Sequence, residues 1–124
     1  MPKKIKFVVG ELELKAELAD TETAVAIYDR LPLEAIINRW GDEFYFKVPV
    51  EKMHDQTATM KVDIGDIGYW PEGRALAIFF GPTPLSKGEE PAPIDRVNVV
   101  GRVLGDAKKL KKVGDEKKIR VEKL

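Results

Sequence analysis

Residues 4–18 alternate apolar and polar side chains almost without interruption, and no other feature limits so strongly what this chain can fold into. Ile5, Phe7 and Val9 interleave with Lys4, Lys6 and Val8, and Leu12, Leu14, Ala16 and Leu18 interleave with Glu11, Glu13, Lys15 and Glu17. A period of two places one set of side chains on one face of a strand, so both runs read as half-buried strands. Gly10-Glu11 between them suits a two-residue turn with glycine first, where positive φ is cheap. That turn sets Val9 opposite Leu12, Phe7 opposite Leu14 and Ile5 opposite Ala16. All six land on one face, so the hairpin agrees with itself.

A helix follows. Asp20 or Thr21 offers an N-cap oxygen, Ala24, Ile27, Tyr28 and Leu31 keep helical spacing, and Pro32 stops the run after about three turns. Strands resume over Leu33–Trp40, turn at Gly41-Asp42 and return through Glu43–Val48. A two-residue turn pairs Ile37 with Phe46 and Ala35 with Val48 on one side. It pairs Trp40 with Glu43, Asn38 with Tyr45 and Ile36 with Lys47 on the other.

Pro49–Met60 reads as a loop holding His54, the one histidine. A further strand pair runs through Lys61–Trp70, a Pro71-Glu72-Gly73 turn and Arg74–Phe80. Residues 75–80 lack any polar side chain and are expected to form a central strand buried on both faces. The stretch 81–93 carries four of the eight prolines and is too rich in breakers for a regular element. Val97–Leu104 is another strand, Asp106–Lys112 a short basic helix, and Lys117–Lys123 a last strand with Ile119 and Val121 on one face.

Antiparallel strands in this number, about eight, gain by closing into a barrel, which removes exposed edges. The expected architecture is mainly β: one domain spanning residues 1–124, a closed β-barrel with one α-helix after the first hairpin and a short C-terminal helical turn.

Composition narrows the function classes. The chain has no cysteine, which excludes disulfides, thiolate catalysis and Cys-ligated metals. Twenty-one basic residues balance twenty-one acidic ones, so no nucleic-acid or anionic-membrane role is expected from bulk charge. The C-terminal tail interleaves eight Lys/Arg with four acids and has no aromatic residue, as a solvated helix and edge strand would. No apolar run is long enough for a signal core or a membrane span, so the cytoplasm is the expected compartment. One His and scattered carboxylates give no ligand spacing, so no metal is expected. Neither G-x-x-x-x-G-K nor G-x-G-x-x-G occurs, and no cofactor is implied. Ser86 lacks a nucleophile-elbow context, and His54 reads as a solvated loop residue. One serine, one glutamine and two asparagines beside 34% charged residues fit a protein from a high growth temperature.

Two stretches carry a family resemblance. Asn38-Arg39-Trp40-Gly41-Asp42-Glu43-Phe44-Tyr45-Phe46 resembles an N-x-W-G-acid-E-x-Y-F block. Gly65-Asp66-Ile67-Gly68-Tyr69-Trp70-Pro71-Glu72-Gly73, leading to Phe79-Phe80-Gly81-Pro82-Thr83-Pro84, resembles G-D-x-x-Y-W-P-x-G…F-F-G-x-T-P. Together they look like the small prokaryotic cyclophilin-like family, minimal versions of the cyclophilin barrel that are mostly uncharacterised. The resemblance implies a cyclophilin-like barrel. Cyclophilins at large are prolyl cis/trans isomerases with an arginine from an F-H-R stretch on the outer barrel surface. The corresponding stretch here reads Phe44-Tyr45-Phe46-Lys47, with neither the arginine nor the histidine, so the resemblance carries the fold and not the isomerase activity.

The candidate site is the outer side of the second hairpin. Asn38, Trp40, Glu43 and Tyr45 share a face whose mix of large rings, an amide and a carboxyl suits neither a core nor an idle surface. Those residues either form a binding surface or a cross-strand aromatic cluster covered by the loop 49–60. Trp70 and Arg74 flank a tight turn, as a rim of that site or as a rigid turn with a stacked guanidinium. The expected function is binding of a small molecule or short peptide in a shallow aromatic cleft. The alternatives are a weak prolyl isomerase with a relocated arginine, Arg39 or Arg74, and a protein-interaction module; the oligomeric state is open.

Overall fold

The computed structural model describes residues 2–124. Strand β1 (Lys3–Val9) and strand β2 (Leu12–Leu18) form the first hairpin in the anticipated register, with Val9 opposite Leu12, Phe7 opposite Leu14 and Ile5 opposite Ala16. Gly10 sits at φ +60°, as a glycine-first turn requires. Ile5, Phe7, Val9, Leu14, Ala16 and Leu18 are all buried.

Helix α1 (Glu22–Tyr28) is capped by Thr21, whose hydroxyl accepts from the Ala24 amide at 3.2 Å. It is shorter than the periodicity suggests. Beyond Tyr28 the chain tightens into i→i+3 bonds, Arg30 N–H to Ile27 O and Leu31 N–H to Tyr28 O, so Leu31 reaches the core without extending the α-helix. Ala24 and Ile27 are fully buried in that core.

The remaining strands are β3 (Leu33–Ile36), β4 (Asn38–Arg39), β5 (Glu43–Lys47), β6 (Ala58–Thr59), β7 (Asp66–Trp70), β8 (Ala75–Phe79), β9 (Val97–Val103) and β10 (Lys118–Lys123). They pair antiparallel in the order β3-β10-β1-β2-β9-β7-β8-β5-β4, with the short β6 added on β9. The ladder thus begins and ends on one stretch of chain, because β3 and β4 are separated only by Ile37. The barrel is nearly closed.

That closure corrects the register expected for Leu33–Trp40. Asn38 does face Tyr45, and Arg39 faces Phe44, but Leu33–Ile36 leaves β5 and pairs with β10, where Ala35 faces Ile119 instead of Val48. A closing sheet needs one strand that passes from one neighbour to another. Ile37 makes the transfer, donating its amide to Lys117 O at 2.7 Å.

A second correction concerns Lys61–Trp70. Regular pairing begins only at Asp66. Asp63 and Asp66 bind each other in a turn, Asp63 N–H to Asp66 Oδ2 and Asp66 N–H to Asp63 O, while Val62 is buried against the outside of the sheet.

β8 is buried along its whole length, as its apolar run implies. Its two faces serve different cores. Ile78, Leu76 and the adjoining Phe80 join the main interior with Phe44, Phe46, Ile67 and Tyr69. Ala77 and Phe79 point outward and pack with Val62 and Val97, flanked by Tyr45, Trp70 and Val99. A 3-10 helix, Ala107–Lys112, sends Ala107 and Leu110 into the main core, with Asp106 capping the Lys108 amide at 3.0 Å. Among the described residues no helix is long and apolar enough to cross a membrane.

Candidate functional site

The site is built on the outer face of β5, β8 and β7. Alternation along β5 sends Phe44 and Phe46 inward and leaves Glu43, Tyr45 and Lys47 outside. Across β8, Glu43 faces Phe79, Tyr45 faces Ala77 and Lys47 faces Ala75. Across the other edge, Asn38 faces Tyr45, and its Nδ2 lies 3.5 Å from Tyr45 O. Trp70 pairs with Ala75 on the far side of β8. Small alanines on the middle strand let the flanking rings approach over it, and the Tyr45 and Trp70 centroids are 6.3 Å apart, edge to face.

Glu43 is the unusual member. It is only 6% exposed, and its Oε1 has no hydrogen-bond partner among the described residues. Burial pushes its carboxyl up to about 8, because the charged form has lost its water and gained no compensating donor. The Trp70 indole N–H is likewise buried without an acceptor. Glu43 Oε1 and Trp70 Nε1 are the two such side-chain atoms found among the described residues, and both belong to the set singled out by the sequence.

Trp40, half-buried, closes the hairpin with its amide on Glu43 O at 3.0 Å. Gly73 lies against the Trp70 ring so closely that a Cβ there would meet Cε3 and Cζ3. Arg74 stands at the turn's end with φ +48°, and its guanidinium pairs with Glu51 at 3.0 Å rather than stacking on Trp70. It lines a cleft of about 540 Å³ with Lys52, Met53, His54, Pro71 and Glu72. Asn38, Trp40, Glu43, Tyr45 and Trp70 line none of the principal clefts. By register Glu43, Tyr45 and Trp70 share the outer face, whereas Arg74 lines the cleft with His54 and Glu72.

Arg39 lies on the other side of its strand. Its guanidinium donates to Gly41 O at 2.9 Å and Asp42 Oδ1 at 3.1 Å, and sits over the Phe44 and Phe80 rings. It covers the barrel end and does not reach the outer face by register.

One polar cluster escaped the sequence reading. Asn98, fully buried on β9, accepts the Asp55 amide at 3.0 Å and donates to Met53 O at 3.0 Å and Thr23 Oγ1 at 3.3 Å. Thr23 donates to Asp55 Oδ2 at 3.0 Å, and Thr57 donates to Asp55 Oδ1 through both its amide and its hydroxyl. Burial works to raise the Asp55 carboxyl. The Thr57 and Thr23 hydrogen bonds, with His54 nearby, outweigh it and hold the group below its ordinary range. This cluster pins the loop 51–57 to the barrel and the start of α1. The available signal was Asn98 itself, a lone amide inside the apolar run Val97–Val100.

His54 is half-buried rather than solvated, with Nε2 3.3 Å from Arg96 O and 3.6 Å from Glu72. Ser86 accepts the Thr83 amide at 2.8 Å, while Thr83 donates to Ala92 O at 2.5 Å, so both brace the Pro-rich loop. Among the described residues no group of three or more His, Asp or Glu side chains is arranged to hold a metal ion.

Comparison with known proteins agrees with this fold. The solution structure of the hypothetical protein AF2241 from Archaeoglobus fulgidus is similar over 99% of this chain and 95% of that one, with 34% identity and a TM-score of 0.83. McbB, solved in complex with tryptophan, shares the fold at 14% identity and a TM-score of 0.69, over 96% of this chain and 44% of McbB. No curated protein matches the chain. A family model described as cyclophilin-like matches residues 3–122, and the chain belongs to the cyclophilin-like family.

Proposed function

We propose that this barrel binds a small molecule or short peptide on the outer face of β5, β8 and β7. Tyr45, Trp70 and Trp40 supply apolar walls, and Asn38 and Glu43 supply polar anchors. The observation that carries the reading is the pair of buried, unpartnered polar atoms, Glu43 Oε1 and Trp70 Nε1, whose residues share the outer face with Tyr45 by register. A buried polar group without a partner costs roughly 1–3 kcal/mol, and a ligand that completes it recovers that cost. Tyr45→Ala and Trp40→Ala are expected to weaken, by tenfold or more, any ligand located by amide-shift changes. Unaltered affinity in both variants removes this face from consideration.

The isomerase alternative falls on Arg74, since Arg39 is held by Asp42 on the opposite side of its strand. Acceleration of a proline-limited refolding reaction, lost in Arg74→Ala, would support it. The interaction-module alternative falls on the Pro-rich loop, which borders a cleft of about 940 Å³ between Met60–Asp63 and Leu85–Ala92. We also read the scarcity of amides as adaptation to heat. A melting midpoint above the range of roughly 45–65 °C usual for mesophile domains supports that reading, and one inside it counts against.

A further inference from the structure

We infer that the cleft between residues 51–54 and 71–74 binds a carboxylate on a short apolar chain, with Arg74 and Lys52 receiving the charge. The cleft is lined by residues other than those of the Tyr45 face, and the inference stands whether or not that face receives a ligand.

Arg74 is the one non-glycine residue with a positive φ, +48°, among those described. The turn needs that conformation: Arg74 N–H donates to Pro71 O at 3.2 Å, and Arg74 O accepts the Val48 amide at 3.0 Å as the chain enters β8. It does not need an arginine, because glycine adopts the same backbone without strain. Nor does the side chain offset that strain within the protein. Its one ion pair, Nη2 to Glu51 at 3.0 Å, joins two exposed side chains, and such pairs contribute little. Nε and Nη1 have no acceptor among the described residues. Backbone strain held at a side chain that does little for the fold is a mark of function.

Lys52 supplies a second cation. It is half-buried, and its ammonium has no counter-ion among the described residues. The two acids of the cleft are already engaged, Glu51 with Arg74 and Glu72 facing His54 Nε2 at 3.6 Å. The charge left open is therefore positive, and a monoanion complements it. The planar guanidinium matches the two oxygens of a carboxylate, and the ammonium adds a point charge. A phosphate dianion would bring a second negative charge against Glu51 and Glu72. Met53, 85% exposed, and Pro71 give the cleft an apolar side for the chain that carries the carboxylate. At about 540 Å³ the cleft has room, within the roughly 300–1,000 Å³ usual for small-molecule sites. Its loop wall is fixed from inside. The buried Tyr69 hydroxyl donates to Val50 O at 2.6 Å and accepts the Lys52 amide at 3.2 Å, while Asn98 holds Met53 O and the Asp55 amide. Such a wall leaves a ligand little ordering to offset.

The test is an NMR titration of the whole chain near neutral pH and at constant ionic strength, read at the Lys52 and Met53 amides and the His54 ring. The probes are sodium butyrate, neutral butyramide and inorganic phosphate. Butyrate is expected to move all three reporters and to bind at least tenfold more tightly than butyramide or phosphate. Arg74→Gly removes the guanidinium and relieves the backbone. It is expected to unfold in urea no earlier than the parent chain and yet to weaken butyrate at least tenfold. Lys52→Met, which keeps the stem and removes the charge, is expected to weaken butyrate and leave butyramide unchanged. Butyramide matching butyrate, affinity surviving Arg74→Gly, or reporters unmoved by butyrate overturns the inference. Phosphate binding as tightly as butyrate overturns the choice of a carboxylate. A urea midpoint that falls in Arg74→Gly shows that the guanidinium serves the fold, and counts against the inference.

Discussion

The Tyr45 ring meets the Trp70 ring edge-on, at 89° between planes, although the two residues lie on strands separated by β8. The contact exists because β8 presents Ala75 and Ala77 on its outer face, opposite Trp70 and Tyr45 in turn. A larger side chain at either position would stand between the rings. The outer face is thereby shaped by two residues that carry no chemistry of their own.

The indole is held from behind by Gly73. Gly73→Ala drives a methyl group into the Trp70 ring, and because the side chain cannot be absorbed without moving the indole, a loss of about 1–3 kcal/mol is expected. Chemical denaturation measures the loss. A shift in tryptophan emission, absent in the Trp70→Phe background, shows that the indole is what moved.

Glu43 makes stability depend on pH in a direction opposite to most carboxylates. Its folded-state value, about 8, lies above the ordinary value of 4.5. The folded protein therefore holds a proton that the unfolded chain has released, and the contribution is complete below about pH 4.5. It is lost as pH rises through about 8. Glu43→Gln removes the dependence: relative to the parent chain it gains stability on the order of a few kcal/mol between pH 5 and 9. Urea midpoints of both proteins across that range measure the difference. Parallel curves would show that Glu43 is ionised normally in the fold.

The Asn98 cluster predicts a local effect. Asn98→Ala removes the partners of Met53 O and the Asp55 amide at once, and a loss of roughly 2–4 kcal/mol is expected. Hydrogen exchange at Asp55 and Thr57 is expected to rise well beyond the global change, since the loop 51–57 is freed. Asp55 adds an acid-side dependence. Its carboxyl is held low in the folded state, so its contribution is present above its ordinary value of 3.8 and is lost as pH falls further. Asp55→Asn is expected to abolish that part of the acid sensitivity.

The hairpin of residues 3–18 was legible in full, because alternation fixes the face and the glycine turn fixes the register. The outer-face pairing of Asn38 with Tyr45 was legible for the same reason. What alternation cannot convey is where a strand changes neighbours: Ile37 looks like any apolar strand residue, and its transfer from β5 to β10 follows from closing the barrel. The early end of regular pairing before Asp66 depends on a turn between two aspartates that is polar and local, with no periodic signature. Glu43 was legible as an odd residue on an aromatic face. Its burial was not, since alternation fixes which face a residue takes and not what covers that face. Asn98 lay in plain view, but its partners are 43 to 75 positions away, Asp55 and Thr23 at the extremes, and only the folded barrel collects them.

The central claim is that the outer face of β5, β8 and β7 receives a ligand. It is tested most directly by recording the Trp70 indole N–H resonance while peptides and metabolites are screened against the intact chain. The account predicts that at least one binder moves this resonance together with the Tyr45 and Glu43 amides, and that Tyr45→Ala weakens it. A screen in which every binder's shifts lie wholly around Arg74 and His54 or along the Pro-rich loop, leaving Trp70 still, would contradict it.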